Sequence, residues 1–125
     1  MSNSPVQAVG QIGVPVRNLK RANQFYRDRL GLKFLFETDT MSFFDCEGVR
    51  LFLSLPEKEK FARASSVIYF TVGDIHQTYK KWHADGVEFI GEPHRINKSG
   101  NTETWMAFFK DPEENTLAIM SELAV

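Results

Sequence analysis

A chain of 125 residues, 42% of them hydrophobic and 25% charged, has the size and composition of one globular domain, and folding at this length removes roughly two thirds of the unfolded surface from water. The formal charge of −1 supplies no field that would draw the chain onto phosphate backbones or anionic lipid, so neither nucleic acid nor a membrane is an expected partner. No apolar run reaches the ~20 residues of a membrane span, the start MSNSPVQ lacks the regions of a secretory signal, and the single Cys46 excludes an internal disulfide and a multi-cysteine zinc cage, which makes the cytoplasm the expected location.

In chain order, residues 11–16 alternate as a strand, and Asn18 then caps a helix whose apolar stripe is Leu19, Ala22, Tyr26 and Leu30. Gly31 ends that helix as the residue beyond its last turn. Residues 33–38, 41–46 and 49–55 read as short strands, with Glu47-Gly48 as a tight hairpin turn between the last two. The polar stretch PEKEKFARAS, residues 56–65, reads as a linker or a short helix. Residues 67–72 then form a strand, Asp74 caps a helix bearing Ile75, Tyr79 and Trp82 on one stripe, and Gly86 ends it. Residues 87–92, 104–109 and 116–122 complete the strands, while PHRINKSGNT, residues 93–102, is expected to be a surface loop.

The chain therefore contains one unit twice. IGVPVRNLKRANQFYRDRLGL from Ile12 returns as IYFTVGDIHQTYKKWHADGV from Ile68, pairing Asn18 with Asp74, Tyr26 with Trp82 and, after one deletion, Gly31 with Gly86. FFDCEGVRLFLS from Phe43 lies over FKDPEENTLAIM from Phe109 without a gap, which pairs Asp45 with Asp111, Leu51 with Leu117 and Leu53 with Ile119. The expected fold class is α+β, with two tandem βαβββ modules over residues 9–56 and 66–123, a linker at 57–65, and a single domain spanning residues 1–125. Each module leaves one sheet face without a helix, so the two are expected to form a cupped mixed sheet with the helices on its outer face.

Strand parity separates the faces. Ile12, Val14, Val16, Val49, Leu51, Leu53, Ile68, Phe70, Val72, Leu117 and Ile119 form an apolar set that belongs under the helices. The opposite set is mixed: Gln11, Gly13 and Pro15; Arg50, Phe52 and Ser54; Val67, Tyr69 and Thr71; Thr116, Ala118 and Met120. Apolar walls with a few hydrogen-bonding groups suit either a small-molecule pocket or a face covered by a partner subunit; Arg50 and Tyr69, which need polar partners if buried, favour the ligand.

VPVRNLKRANQFYRDRLGL, FTVGDI with its helix to ADGV, and FFKDPEENTLAIMSE together resemble the glyoxalase / bleomycin-resistance / extradiol dioxygenase superfamily, also called vicinal oxygen chelate. The resemblance runs from Gln11 to Glu122 and departs at Glu114, where the family usually has glycine. It implies a metal held by His, Gln or Glu in the enzymes of the family, and the four ligand positions fall on Gln11, Phe52, Val67 and Ala118. Only Gln11 carries a donor atom, so no metal and no cofactor is expected. The resemblance also implies a homodimer.

The other chemical groups give less. His76 and His83 face solvent on the second helix, and Cys46 reads as a half-buried residue without a base. His94 lies in the polar loop at the mouth of the implied cleft, where it can donate to an anionic ligand. Glu113, Glu114, Glu57 and Glu59 read as solvated charges, and Asp45 and Asp111 as turn residues that hold backbone amides. No nucleophile motif occurs, and no catalytic residue is assigned. The leading expectation is a metal-free protein that binds a small aromatic or amphipathic molecule through Gln11, Arg50, Phe52, Ser54, Tyr69, Thr71, His94 and Ala118. The alternatives are a metal-dependent lyase, isomerase or dioxygenase of the same superfamily, and a non-catalytic regulatory or scaffold subunit.

Overall fold

Two side-chain caps start the two helices. Asn18 accepts a hydrogen bond from the amide of Arg21 at 2.9 Å, and Asp74 accepts from His76 and Gln77 at 3.1 and 3.2 Å, so orphan donors of each first turn are satisfied by the residues that the sequence marks as caps. At the other ends Gly31 and Gly86 hold φ of 75° and 96°, the left-handed conformation that glycine adopts without a Cβ penalty. The computed structural model describes residue 5 and residues 7–56 and 66–124. The expected linker or short helix, with Glu57 and Glu59, lies outside the described residues.

The first unit contains β1 (Gln11–Pro15), α1 (Leu19–Gln24) continued by a π-helical segment (Phe25–Arg29), β2 (Lys33–Glu37), β3 (Met41–Cys46) and β4 (Val49–Ser54), with strand order β1-β4-β3-β2. β1 runs parallel to β4, and the other pairs are antiparallel. The second unit contains β5 (Ile68–Thr71), α2 (Ile75–Ala84), β6 (Glu88–Phe89), β7 (His94–Ser99), β8 (Thr102–Lys110) and β9 (Thr116–Ala124), and repeats that order as β5-β9-β8-β6. β5 is parallel to β9. The chain divides into these two compact units between residues 62 and 63. The α+β class and the tandem arrangement agree with the sequence.

The π-helical segment explains the deletion in the repeat. Leu32 donates to the carbonyl of Tyr26, six residues back, at 3.1 Å; in the second unit Val87 donates to Trp82, five residues back, at 3.0 Å. Tyr26 and Trp82 are equivalent, so the first helix carries one extra residue between the same two landmarks. A wider i→i+5 turn absorbs it, as Leu30 donating to Phe25 at 3.1 Å shows.

The helix-side face of each sheet is the core. Val14, Val16, Leu51, Leu53, Phe44, Ala22 and Tyr26 are buried in the first unit, and Phe70, Leu117, Ile119, Ala107, Phe109, Ile75 and Val87 in the second. Tyr26 lies 6.2 Å from Phe44, and Phe109 sits against Trp82 at 5.6 Å and Phe89 at 5.5 Å. Offset and edge contacts of this kind add to the burial of large rings.

Two sequence expectations need correction. Residues 93–102 are not a loop: they form β7 and a hairpin to β8 that turns at Gly100, φ 61°. Every residue of β7 is exposed, so no buried alternation marked it as a strand. Its hold is polar, through Arg95 donating to Glu103 at 3.0 Å while Trp105 Nε1 donates to the same carboxylate at 3.2 Å. Arg95 and then Trp105 keep the Glu103 carboxyl below its ordinary range.

The second correction concerns the gapless match of the closing hairpins. Leu51 and Leu117 are equivalent, both 2% exposed, but their cross-strand partners are Phe44 and Phe109. The match therefore shifts by one across the turn, and Phe43 corresponds to Phe108, not Phe109. The first turn is short: Glu47 and Gly48, with φ of 47° and 94°, close it between paired Cys46 and Val49. The second is longer. Asp111 accepts from the amides of Glu113 at 2.8 Å and Asn115 at 2.9 Å, and Asn115 Nδ2 donates to its second oxygen at 2.9 Å. Asp45 accepts from Gly48 at 3.3 Å, so the two aspartates share a role without sharing a register.

Glu114, where the resembled family usually has glycine, holds φ 68°. A side chain in this conformation costs roughly 1–2 kcal/mol, partly offset by the extra freedom glycine would have in the unfolded chain. The Lys110–Glu114 ion pair at 3.4 Å is exposed and adds little. Glu114→Gly is therefore expected to raise stability by about 0.5 kcal/mol, visible as a higher urea midpoint at unchanged slope. A lower midpoint would show that the side chain contributes more than the strained backbone loses.

Candidate functional site

In each sheet the face turned away from the helix carries the second parity set, and cross-strand partners fix which side chains are neighbours there. In the first unit one row runs Gly13, Phe52, Phe43, Phe36 across β1, β4, β3 and β2. Phe36 stacks on Phe43 with centroids 4.5 Å apart and planes inclined by 21°, and Phe43 stacks on Phe52 at 5.8 Å and 30°. Phe36 is 48% exposed and Phe43 only 9%, so the middle ring is roofed by its neighbours while the outer one is open to solvent.

Gly13 makes this row possible. A Cβ there would come within 2.5 Å of Phe52 Cζ, because the Phe52 ring lies over the backbone of β1. The adjoining row runs Gln11, Arg50, Asp45, Lys33 across the same four strands. The guanidinium carbon of Arg50 lies 5.8 Å from the centroid of Phe43, a cation–π contact that ties the polar row to the aromatic one. On the other side of the aromatic row, Ser54 is half-buried and pairs with Pro15 and Met41.

The second unit builds its face differently. Tyr69, Ala118 and Phe108 form one row, and Thr71, Met120, Met106 and His94 the next. Tyr69 meets Phe108 edge to face at 5.9 Å. Ala118, equivalent to Phe52, is fully buried between these two strands, so it makes room for the rings and offers no surface of its own. The large and small partners have changed places: Gly13 faces Phe52 in one unit, and Tyr69 faces Ala118 in the other.

The expected site residues thus fall into two groups. Gln11, Arg50, Phe52 and Ser54 share the helix-free face of the first sheet, and Tyr69, Thr71 and Ala118 that of the second. His94 opens a strand rather than standing in a loop, shares the second group's face, and has Nδ1 3.3 Å from the carbonyl of Glu92. Sequence reasoning missed Phe36, Phe43 and Lys33. The two-residue turn at Glu47-Gly48 carried the signal for Phe43, since it places residue 43 opposite residue 52; the irregularity between Phe34 and Phe36 hid which side of β2 faces the row.

The donor chemistry does not fit a divalent ion at the four positions implied by the resemblance. Phe52, Val67 and Ala118 supply no donor, and among the described residues no three His, Cys, Asp or Glu side chains gather where they could hold one. Burial first, then the carboxylates of Asp45 and Glu47, push the half-buried Cys46 thiol up, away from the thiolate. Of the helix histidines, His76 sits edge to face on Trp105 at 4.9 Å and His83 stacks on Tyr79 at 5.5 Å. No helix among the described residues is long and apolar enough to cross a membrane.

Known proteins share this architecture. The uncharacterized protein YraH of Bacillus subtilis (strain 168) is 27% identical over 130 residues, covering 90% of this chain and 97% of its own. A member of the glyoxalase/bleomycin resistance protein/dioxygenase superfamily from Sphaerobacter thermophilus superposes with a TM-score of 0.78 at 21% identity, over 93% of this chain and 98% of its own. TnmS3, an antibiotic binding protein from Streptomyces sp. CB03234, superposes with a TM-score of 0.77 at 16% identity, over 97% of this chain and 100% of its own. The sequence profile of the Glyoxalase/Bleomycin resistance protein/Dioxygenase superfamily matches residues 8–119, and with the strand order shared by the two units this places the chain in that superfamily.

Proposed function

We propose that this protein binds a small aromatic or amphipathic molecule on the helix-free face of its first sheet, without a metal. The Phe36–Phe43–Phe52 row carries the reading: three rings side by side, the outermost 48% exposed, form an apolar platform on a face that a solitary soluble sheet would keep polar. The donor-poor positions 52, 67 and 118 support the metal-free part, and the fold shared with an antibiotic binding protein is compatible with sequestration as the role. Arg50, Gln11 and Ser54 supply orientation at the edges of the platform. The protein acts in the cytoplasm, as a homodimer.

A thermal-shift screen of flat aromatic compounds tests this. A compound at a hundredfold excess over its Kd stabilises the folded chain by about 2.7 kcal/mol, several degrees in Tm. The shift is expected to vanish in Phe52→Ala. A shift of full size in that variant would place the compound elsewhere. Elemental analysis of tag-free protein belongs to the same experiment, and a stoichiometric divalent ion would overturn the metal-free reading.

A further inference from the structure

The polar row beside the platform has an imbalance that nothing in the sheet resolves. Arg50 is exposed, and among the described residues no carboxylate forms an ion pair with it. Its cross-strand neighbour Asp45 is engaged on one oxygen by the amide of Gly48 at 3.3 Å. Lys33, the partner of Asp45 on β2, is a second exposed cation in the row. The row thus presents Gln11 and two cations against one carboxylate, immediately beside three stacked rings.

A guanidinium resting on an aromatic face keeps its in-plane N–H donors pointing outward, a fork that matches a carboxylate or sulfonate. A ring laid on Phe36 and Phe52 would carry its substituents over the adjoining row, whose side chains are one cross-strand step away. Resting on the reading of this face as a small-molecule site, we propose that its ligand is a planar aromatic anion, with the ring on the Phe36–Phe43–Phe52 platform and the anionic group on Arg50. A neutral ring of the same shape gains the stacking alone. A cationic one meets Arg50 and Lys33 as like charges.

The test uses three probes of one shape: 2-naphthoate, 2-naphthamide and 2-naphthylmethylammonium, titrated calorimetrically into the full chain at low salt. Naphthoate is expected to bind about two- to fivefold more tightly than naphthamide, the range of an exposed charge pair, and the ammonium probe more weakly than both. In Arg50→Gln the two Kd values should converge on that of naphthamide, and added salt should erode the naphthoate advantage in the wild-type chain alone. Arg50 is on the surface, so this variant folds, and a circular dichroism melt checks it. Equal affinities for naphthoate and naphthamide, both weakened by Phe52→Ala, would overturn the anion preference and leave the binding face standing. Failure of all three probes to bind would overturn both. A change of oligomeric state in Arg50→Gln by light scattering, with probe preference unaltered, would assign the face to contacts between copies and overturn the proposal as well.

Discussion

Phe109→Ala is expected to lower folding stability by about 3–5 kcal/mol, a large share of what holds a domain of this size together. The ring is fully buried, wedged against Trp82 and Phe89 and opposite Leu117 on β9. Truncation removes its own transfer free energy and leaves a cavity walled by a ring on α2, a ring on β6 and a leucine on β9, which cannot all close in at once. Urea unfolding checks the value, with Phe36→Ala as the contrast. Phe36 is 48% exposed, and its removal should cost less than about 1 kcal/mol. A loss under about 1.5 kcal/mol for Phe109→Ala would mean that the second unit does not organise its core around this ring.

Asp111→Ala is the second large effect, expected at about 3 kcal/mol. The side chain is 4% exposed and accepts from two backbone amides and from Asn115 Nδ2, all within 2.9 Å. Hydrogen bonds to a charged acceptor are worth roughly 1.5–3 kcal/mol each, and alanine leaves the three donors without that acceptor in a turn packed too closely for each to reach water. Asp111→Asn keeps an acceptor for the backbone amides but turns an N–H donor toward Asn115 Nδ2, so an intermediate loss is expected. Denaturant melts of the three proteins rank them. Asp111→Ala within about 1 kcal/mol of wild type would show that the turn holds without its side-chain anchor.

Most of the architecture could be read before any coordinates because it rests on local rules. Caps at Asn18 and Asp74, left-handed glycines at 31 and 86, and the Glu47-Gly48 turn each announce themselves by residue type. The internal repeat then supplied the topology. What escaped were features in which neighbours, rather than residue type, decide. β7 has no buried residue and is held by pairing to β8 and by the Arg95–Glu103–Trp105 contacts, none of which leaves an apolar period. The paired phenylalanines at 43–44 and 108–109 hid the one-residue shift in the gapless match, which only the cross-strand partners of Leu51 and Leu117 reveal.

The candidate site was half visible for the same reason. Strand parity assigned Gln11, Arg50, Phe52, Tyr69 and Thr71 to the helix-free faces, because period two needs no knowledge of partners. The aromatic row needed the register of four strands, including an irregularity in β2. The exchange of Gly13 and Phe52 for Tyr69 and Ala118 could not be seen without knowing that these positions pair in parallel.

The π-helical turn at Phe25–Arg29 shows how a duplicated chain can diverge in length without consequence for its sheets. An indel lodged in mid-helix is confined between a fixed cap and a fixed glycine, so the ancestral frame on either side is preserved. The two halves can therefore differ on their helix-free faces while sharing one scaffold.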